Sequence, residues 1–189
     1  MTDYFALLDQ PRAPWLDLAA LREVYHRKTL ESHPDAAAPG DQDDFVQINE
    51  AYQVLHDPKR RLHHLLSLEN VVPASGSQSV PPELGELFLL IGELNHGASQ
   101  LLERKRTASN ALSRSLLEPQ LADVRKQVGD LHHRVRQLLE NATDELREIN
   151  SAWEKNPADQ FAALSKLYST FSYLGRWTAQ LDELAFQFS

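Results

Sequence analysis

The sequence predicts an all-α protein of two domains. Only 7 of its 189 residues are glycine, and leucine, alanine, glutamate and glutamine, which favour helix over sheet, are abundant. Apolar residues recur at spacings of three and four, the period of an amphipathic helix. The stretch NVVPASGSQSVPP, residues 70–82, lacks this period and reads as a linker. We therefore expect a helical domain over residues 1–70, a linker over 71–82 and a helical bundle over 83–189.

Four helices are expected before the linker. DYFALLD forms a short first helix, and Asp17 is an N-cap for a second that runs to about Ser32. The loop HPDAAAPGDQ follows, because proline disfavours helix for the residue ahead of it. DDFVQINEAYQVLHD supplies the third helix. Asp57 followed by Pro58 is a start signal for the fourth, which continues through KRRLHHLLSL.

Three long helices are expected after the linker. The first has a buried seam that alternates steps of three and four: Leu84, Leu87, Ile91, Leu94, Ala98 and Leu101. A second seam follows the break at Glu118-Pro119 and continues to Trp153. The turn KNPADQ precedes a third seam, from Phe161 to Phe188. Because the connections are short, the three helices are predicted to form an antiparallel bundle.

Composition narrows the classes of function. The net charge is −8, from 19 basic and 27 acidic residues, which argues against general nucleic-acid binding. The absence of cysteine excludes disulfides, thiolate metal sites and cysteine nucleophiles, and suits a cytoplasmic protein. The start, MTDYFALLDQPR, lacks the pattern of a signal peptide, and no segment is apolar enough to span a membrane. We expect a soluble, cytoplasmic protein with no membrane partner.

The tripeptide His33-Pro34-Asp35 leaves three chemistries to weigh: catalysis, metal binding, or a rigid tip held out for another protein. A histidine–carboxylate pair needs a nucleophile within reach of the base. Ser32 adjoins it, but Gly-x-Ser-x-Gly and Gly-rich phosphate loops are absent. The histidine spacings give no metal-chelating pair. No active site, metal or cofactor is therefore expected. A turn or capping role for Asp35 alone is plausible, but it leaves His33 and Pro34 unexplained.

The residues around this tripeptide resemble a J-domain. HPD lies in a loop between two predicted helices, preceded by LREVYHRK and followed by FVQINEAYQVLHDPKRR. The segment DPKRRLHHLLSLEN, the linker and the bundle are similar to HscB, the J-protein of iron–sulfur cluster biogenesis. Total length, domain order and the chain end QLDELAFQF agree with that family. The Gly/Phe-rich segment and Cys-rich zinc domain of general DnaJ proteins are absent.

The resemblance implies that the first domain docks on a DnaK/HscA-type chaperone and triggers its ATP hydrolysis, so that the protein itself is not an enzyme. The implied chaperone-binding residues are His33, Pro34, Asp35, Arg22, His26, Arg27 and Lys28, with Asn49 holding the loop. Two departures from the family, Ala36 in place of a lysine and Glu31 in place of a base, make the basic face thin. We therefore expect weaker or more selective electrostatic steering.

The resemblance also implies that the bundle holds an IscU-like iron–sulfur scaffold. If the first seam occupies a and d positions, Leu89 falls at f and points away from it, whereas Phe88 flanks the seam and has the alternative of packing on neighbouring helices. The implied scaffold-binding residues are Phe88, Leu89, Glu93, Phe171 and Tyr173. Two rivals stay open: a J-domain co-chaperone for a different client, and a helical interaction scaffold that has lost coupling to a chaperone.

Overall fold

The computed structural model describes residues 1–31, 42–71 and 80–189, with side chains from residue 44 in the second range. His33, Pro34 and Asp35 lie outside these residues, as does most of the predicted linker. Within the described ranges every regular element is a helix, which confirms the predicted all-α class. None of the helices described is long and apolar enough to cross a membrane.

The helices follow the predicted order. Those of the first part are α1 (Tyr4–Leu7), α2 (Leu18–Glu31), α3 (Gln42–His56) and α4 (Pro58–Leu68). A short 3-10 helix (Pro82–Leu84) then precedes α5 (Gly85–Thr107), α6 (Ala111–Ser115) and α7 (Glu118–Trp153), and a second 3-10 helix (Ala158–Gln160) precedes α8 (Phe161–Gln187). The sequence pattern did not predict α6, which is only 5 residues long.

Side-chain caps set several helix starts. The Asp17 carboxylate accepts the Ala19 backbone N–H over 2.8 Å, and that of Asp57 accepts the Arg60 N–H over 2.7 Å ahead of Pro58. Both caps confirm the sequence prediction, because each satisfies a backbone donor that the first helical turn leaves unpaired. The amide oxygen of Asn110 caps α6 in the same way, on Ser113 N–H over 2.8 Å.

The chain forms two compact units whose limits differ from the predicted domains. Unit 1 comprises Met1–Gly76 with Thr143–Phe171, and unit 2 comprises Ser77–Ala142 with Ser172–Ser189. The end of α7 and the start of α8 therefore belong with the N-terminal helices. Long-range contacts explain this: the Trp153 indole N–H donates to the Arg12 carbonyl over 2.8 Å, and the Trp15 backbone N–H donates to the Asn150 side-chain oxygen over 3.2 Å.

Each unit has its own apolar core. In unit 1 the largest fully buried side chains are Phe5, Leu8, Leu21, Leu55, Leu62, Leu65, Leu66, Leu146 and Leu164. In unit 2 the predicted seam of α5 is buried throughout, against apolar residues of α7 and α8 that include Leu121, Val128, Leu174, Leu181 and Phe188. Burying side chains of this size contributes about 1.5–3 kcal/mol each relative to leaving them in water. The seam predicted for the first bundle helix is confirmed.

A buried arginine fixes α4 within unit 1. Arg61 is 4% exposed, and its guanidinium donates to the carbonyls of Pro14, over 2.8 Å, and Leu55, over 2.5 Å. Burial lowers the pKa of Arg61 to about 10, so the side chain keeps its charge at neutral pH. The start of α4 is thereby tied to the segment after α1 and to the end of α3.

Candidate functional site

The basic residues that the J-domain resemblance implies for chaperone binding lie on α2, and two of them pair with the same carboxylate. Arg22, His26 and Arg27 are exposed. Arg27 Nη2 lies 3.1 Å from Asp9 Oδ2, and Lys28 Nζ lies 3.1 Å from Asp9 Oδ1. Exposed pairs of this kind contribute little to stability, so Arg27, with a side chain 59% exposed, stays accessible to a partner. The Asp9 charge makes this face less positive than the cations alone indicate.

Asn49 joins α2 to α3. Its side-chain oxygen accepts the Tyr25 hydroxyl over 2.7 Å, and its amide donates to the Phe45 carbonyl over 2.7 Å. The rings of Tyr25 and Tyr52 stack with centroids 4.1 Å apart. The amide oxygen thus joins α3 to α2, while the amide N–H bonds within α3. The expected contact of Asn49 with the HPD segment stays a prediction, because that segment lies outside the described residues.

Two exposed apolar residues near the loop were missed from the sequence. Leu30, on the last turn of α2, is 74% exposed, and Val46, on the second turn of α3, is 62% exposed. The tripeptide His33-Pro34-Asp35 lies between them in sequence, outside the described residues. The signal that would have found them is an apolar side chain placed off the buried face of its helix.

The second candidate surface lies on α5. Phe88 is 48% and Leu89 62% exposed, so Leu89 points away from the seam, as its register predicts. Glu93 is exposed one turn further along. Glu86, one turn earlier, lies 3.3 Å from Arg134 of α7 in an exposed ion pair. Apolar and acidic side chains thus share one face of α5, a surface suited to apolar contacts bordered by cations.

Of the two α8 residues assigned to this surface, one is half-buried and one is buried. The Tyr173 ring packs against the unit 2 core, 5.6 Å from the Trp177 ring, and the Arg176 guanidinium lies 4.6 Å from its centroid. Phe171 is 3% exposed and belongs to unit 1. Its side chain therefore offers no surface to a partner, which corrects the expectation that it completes the patch.

The adjacent histidines His63 and His64 have different surroundings. His64 is 5% exposed, and its Nε2 accepts the Tyr4 backbone N–H over 3.1 Å. Burial lowers the pKa of His64, and the nearby Asp3 opposes this effect. His63 is exposed and tilts against the Tyr168 ring, 5.7 Å away between centroids. Across the part of the chain that the structure describes, no three His, Asp or Glu side chains are grouped to hold a metal ion.

Comparison with known proteins finds relatives of the N-terminal residues by sequence and of nearly the whole chain by fold. The sequence matches the DnaJ domain family over residues 3–64. A co-chaperone protein HscB homolog of Paraburkholderia phymatum is 38% identical over 87 residues, which are 42% of this chain and 50% of that protein. The matched segment thus spans about half the length of this relative.

Two solved structures share the fold along nearly the whole chain. Human co-chaperone protein HscB superposes with a TM-score of 0.63 at 19% identity, covering 97% of this chain and 82% of the human one. Chaperone HscB from Vibrio cholerae gives 0.58 at 20% identity, covering 98% and 99%. At these identities the likeness establishes the fold alone. The comparisons therefore give the chain a match to the DnaJ domain at residues 3–64, sequence similarity to an HscB homolog over 42% of its length, and a fold like that of two HscB structures.

Proposed function

We propose that this protein is a co-chaperone that recruits a DnaK/HscA-type chaperone, stimulates its ATPase and delivers an IscU-like iron–sulfur scaffold to it. The observation that carries the proposal is the DnaJ domain, whose sequence contains His33-Pro34-Asp35, within a fold like that of HscB along both units. ATP hydrolysis is carried out by the partner, and this chain acts by binding.

In the proposed chaperone contact, Asp35 pairs with an arginine of the partner. Pro34 restricts the backbone and lowers the entropy lost on docking. Arg22 and Arg27 are exposed on α2 and add attraction to an acidic surface. The Asn49 bridge supports this role, because it fixes the separation of the helices on either side of the tripeptide.

Apolar contact is the second component of the proposed chaperone site. Leu30 and Val46 are the large exposed apolar residues of α2 and α3 nearest in sequence to the tripeptide. Burial of both against a partner would remove apolar surface from water, at roughly 25 cal/mol per Å². We include them in the proposed site because the thin basic face leaves more of the affinity to such contacts.

In the proposed scaffold contact, Phe88 and Leu89 insert between apolar groups of the scaffold, and Glu93 pairs with a scaffold cation. All three are exposed on one helix, α5. Tyr173 belongs to the same unit and offers a half-buried ring. Holding scaffold and chaperone on one chain raises the concentration of each near the other, and this effective concentration is the energetic basis of delivery.

The second candidate function is that of a J-domain co-chaperone for a client other than an IscU-like scaffold. The burial of Phe171 removes one of the five expected scaffold contacts. Gly92 and the stretch NHGASQ occupy α5 where the family resemblance implies more acidic residues. Both observations make the scaffold face narrower than the resemblance implies, and they favour a client other than an IscU-like scaffold.

Single-turnover ATP hydrolysis by the organism's DnaK-type chaperones tests the proposal. The rate is measured with the chaperone alone, with this protein, and with this protein and the IscU-like scaffold. His33→Gln is the variant that separates specific docking from nonspecific effects, and Leu89→Ser does the same for the scaffold. We expect stimulation that requires His33 and rises further with scaffold only when Leu89 is present.

The other outcomes are equally informative. Stimulation without a scaffold effect would leave the chaperone role and assign the bundle to a different client. Equal rates with the wild-type chain and His33→Gln, both near the rate of chaperone alone, would favour a helical interaction scaffold without chaperone coupling.

A further inference from the structure

The end of α5, the short helix α6 and the start of α7 line a groove in unit 2 that the proposed function does not use. Its volume is about 460 Å³. The groove, called here the α6 groove, is lined by three leucines, three cations and one acid: Leu102, Leu117, Leu121, Lys105, Arg106, Arg114 and Glu118. Its floor is apolar, because Leu117 is 5% and Leu121 2% exposed and both belong to the unit 2 core.

Unpartnered leucines extend this apolar surface beyond the groove. Leu112 is 71% and Leu116 67% exposed. Leu112 lies on α6, and Leu116 is the C-cap of that helix, with helical backbone angles and its N–H bonded to the Leu112 carbonyl over 3.1 Å. The spacing of four residues therefore places both side chains on one face. Neighbouring large apolar side chains left in water are typical of a site where another molecule binds.

The same segment is strongly basic in an acidic chain. Residues 104–117 contain four cations and no acidic residue, whereas the whole chain has a net charge of −8. Arg106 is paired with Glu103 over 3.0 Å, but both side chains are exposed, so a partner's carboxylate competes for that arginine at little cost. Arg114 donates through Nε to the Ala108 carbonyl over 3.3 Å, which leaves its two terminal nitrogens for a partner.

We propose that the α6 groove binds an acidic segment of a partner protein, whose apolar side chains enter the groove while its carboxylates pair with Lys105, Arg106 and Arg114. We infer that the partner segment is acidic because the groove is lined by three cations. We infer that it also carries apolar side chains because the groove is lined by leucines. The concave shape favours a peptide over a lipid surface. A peptide side chain can fill a recess, whereas a bilayer takes up apolar side chains that protrude from a protein.

This surface is separate from the proposed scaffold site on the same helix. Phe88 and Lys105 are 17 residues apart on α5, which is about 25 Å at the rise of an α-helix. Substitutions in the groove therefore leave Phe88, Leu89 and Glu93 unchanged. Peptide binding at the groove can therefore be tested whether or not the proposed co-chaperone function is correct.

Selection from a random peptide library tests the proposal. A phage-displayed library of 16-residue peptides is selected on the immobilised full-length chain and counter-selected on the double variant Lys105→Glu/Arg114→Glu. We expect the enriched peptides to combine Asp or Glu with Leu, Ile or Phe. One of these, labelled with a fluorophore, is then titrated with each variant by fluorescence anisotropy.

The titrations separate charge from apolar contact. We expect Lys105→Glu/Arg114→Glu and Leu112→Ser/Leu116→Ser each to weaken binding by about tenfold, and binding to weaken with added salt. Arg136→Glu, an exposed charge reversal elsewhere on α7, is the matched control and should retain wild-type affinity. Circular dichroism checks that each variant is folded, and stimulation of chaperone ATPase with scaffold should be unchanged.

Several results would overturn the proposal. They are basic or uncharged enriched peptides, no enrichment at all, and a selected peptide that binds either double variant as tightly as it binds the wild-type chain. Two direct measurements test other occupants of the groove. The first is co-sedimentation with phosphatidylglycerol vesicles. If the chain binds these vesicles but no peptide, and Lys105→Glu/Arg114→Glu abolishes vesicle binding, the groove is assigned to anionic lipid. Concentration-dependent self-association in sedimentation velocity, lost in the same variant, would assign it to a second copy of this chain.

Discussion

The backbone N–H of Tyr4 donates to Nε2 of His64 over 3.1 Å, across 60 residues of sequence. His64 is therefore neutral, with its proton on Nδ1, when α1 is docked on α4. The ring lies between two aromatic neighbours, with centroid distances of 4.6 Å to Tyr4 and 5.7 Å to Phe5. Protonation would place a second N–H against that of Tyr4 and charge a ring that is 5% exposed.

This contact predicts that stability falls on mild acidification. Burial lowers the pKa of His64 in the folded chain, with Asp3 opposing and His63 and Arg12 reinforcing the shift. The unfolded chain has an ordinary histidine pKa of about 6.5 and binds the proton first as the pH falls. The contribution of His64 to the free energy of unfolding should therefore be complete above about pH 6.5. It should decrease as the pH falls from that value through the lowered pKa of the folded chain.

Urea denaturation at a series of pH values between about 5 and 7.5 measures this dependence. We expect His64→Gln, which keeps an acceptor but does not titrate, to be less stable than wild type at neutral pH and to show a flatter dependence. His63→Gln is the comparison variant: it leaves the Tyr4 contact and the burial of His64 in place and removes only a smaller cause of the shift, so it should retain most of the pH dependence. Equal slopes for wild type and His64→Gln would show that another group carries the effect.

Substitution of Arg61 should destabilise unit 1 strongly. Arg61→Met keeps the volume and apolar stem but leaves the carbonyls of Pro14 and Leu55 without their donor. Hydrogen bonds from charged groups contribute about 1.5–3 kcal/mol each, so we expect a loss of at least about 2 kcal/mol. Urea denaturation measures it, with Arg60→Met on the exposed side of α4 as control. A loss below about 0.5 kcal/mol would mean that water replaces the guanidinium.

The Tyr25–Asn49 hydrogen bond should be measurable by a double-mutant cycle. Tyr25→Phe keeps the ring stacked on Tyr52 and removes only the hydroxyl, so we expect a loss of about 0.5–1.5 kcal/mol. Asn49→Ala also removes the bond to the Phe45 carbonyl and should cost more. Additive losses in the double variant would show that the two side chains act independently.

The features that the sequence predicted well have local causes. The caps at Asp17 and Asp57 depend on a carboxylate and the two or three residues after it. The α5 seam, Leu84 to Leu101, follows from the helical period alone. The five-residue α6 was missed because it is too short to show that period.

The features that were missed depend on distant contacts. The limits of unit 1 rest partly on Trp153 and Arg12, which are 141 residues apart, and no local pattern encodes such a pair. Phe171 lies on a periodic apolar face, and the period alone does not distinguish a core position from an exposed one. The hydrogen bond of Asn49 to Tyr25, on another helix, is likewise not indicated by the local sequence.

Asp9 reduces the positive charge of α2, because it pairs with both Arg27 and Lys28. Asp9→Asn should strengthen the proposed chaperone contact, because Arg27 and Lys28 would lose their shared carboxylate and face a partner with their full charge. Asp9 has a φ of 50°, a left-handed conformation that asparagine also tolerates, so the substitution should not strain the backbone. Exposed pairs are worth about 0.2–1 kcal/mol, which corresponds to an affinity gain of up to about fivefold.

The concentration that gives half-maximal stimulation of chaperone ATPase measures this gain, at low salt and again at high salt. The gain should shrink as salt screens the freed charges. Asp130→Asn removes one exposed acid from unit 2 and controls for the change in net charge. If Asp9→Asn and Asp130→Asn shift the half-maximal concentration equally, total charge and not the α2 face governs the encounter. If Asp9→Asn weakens stimulation, Asp9 positions the two cations for the chaperone rather than masking them.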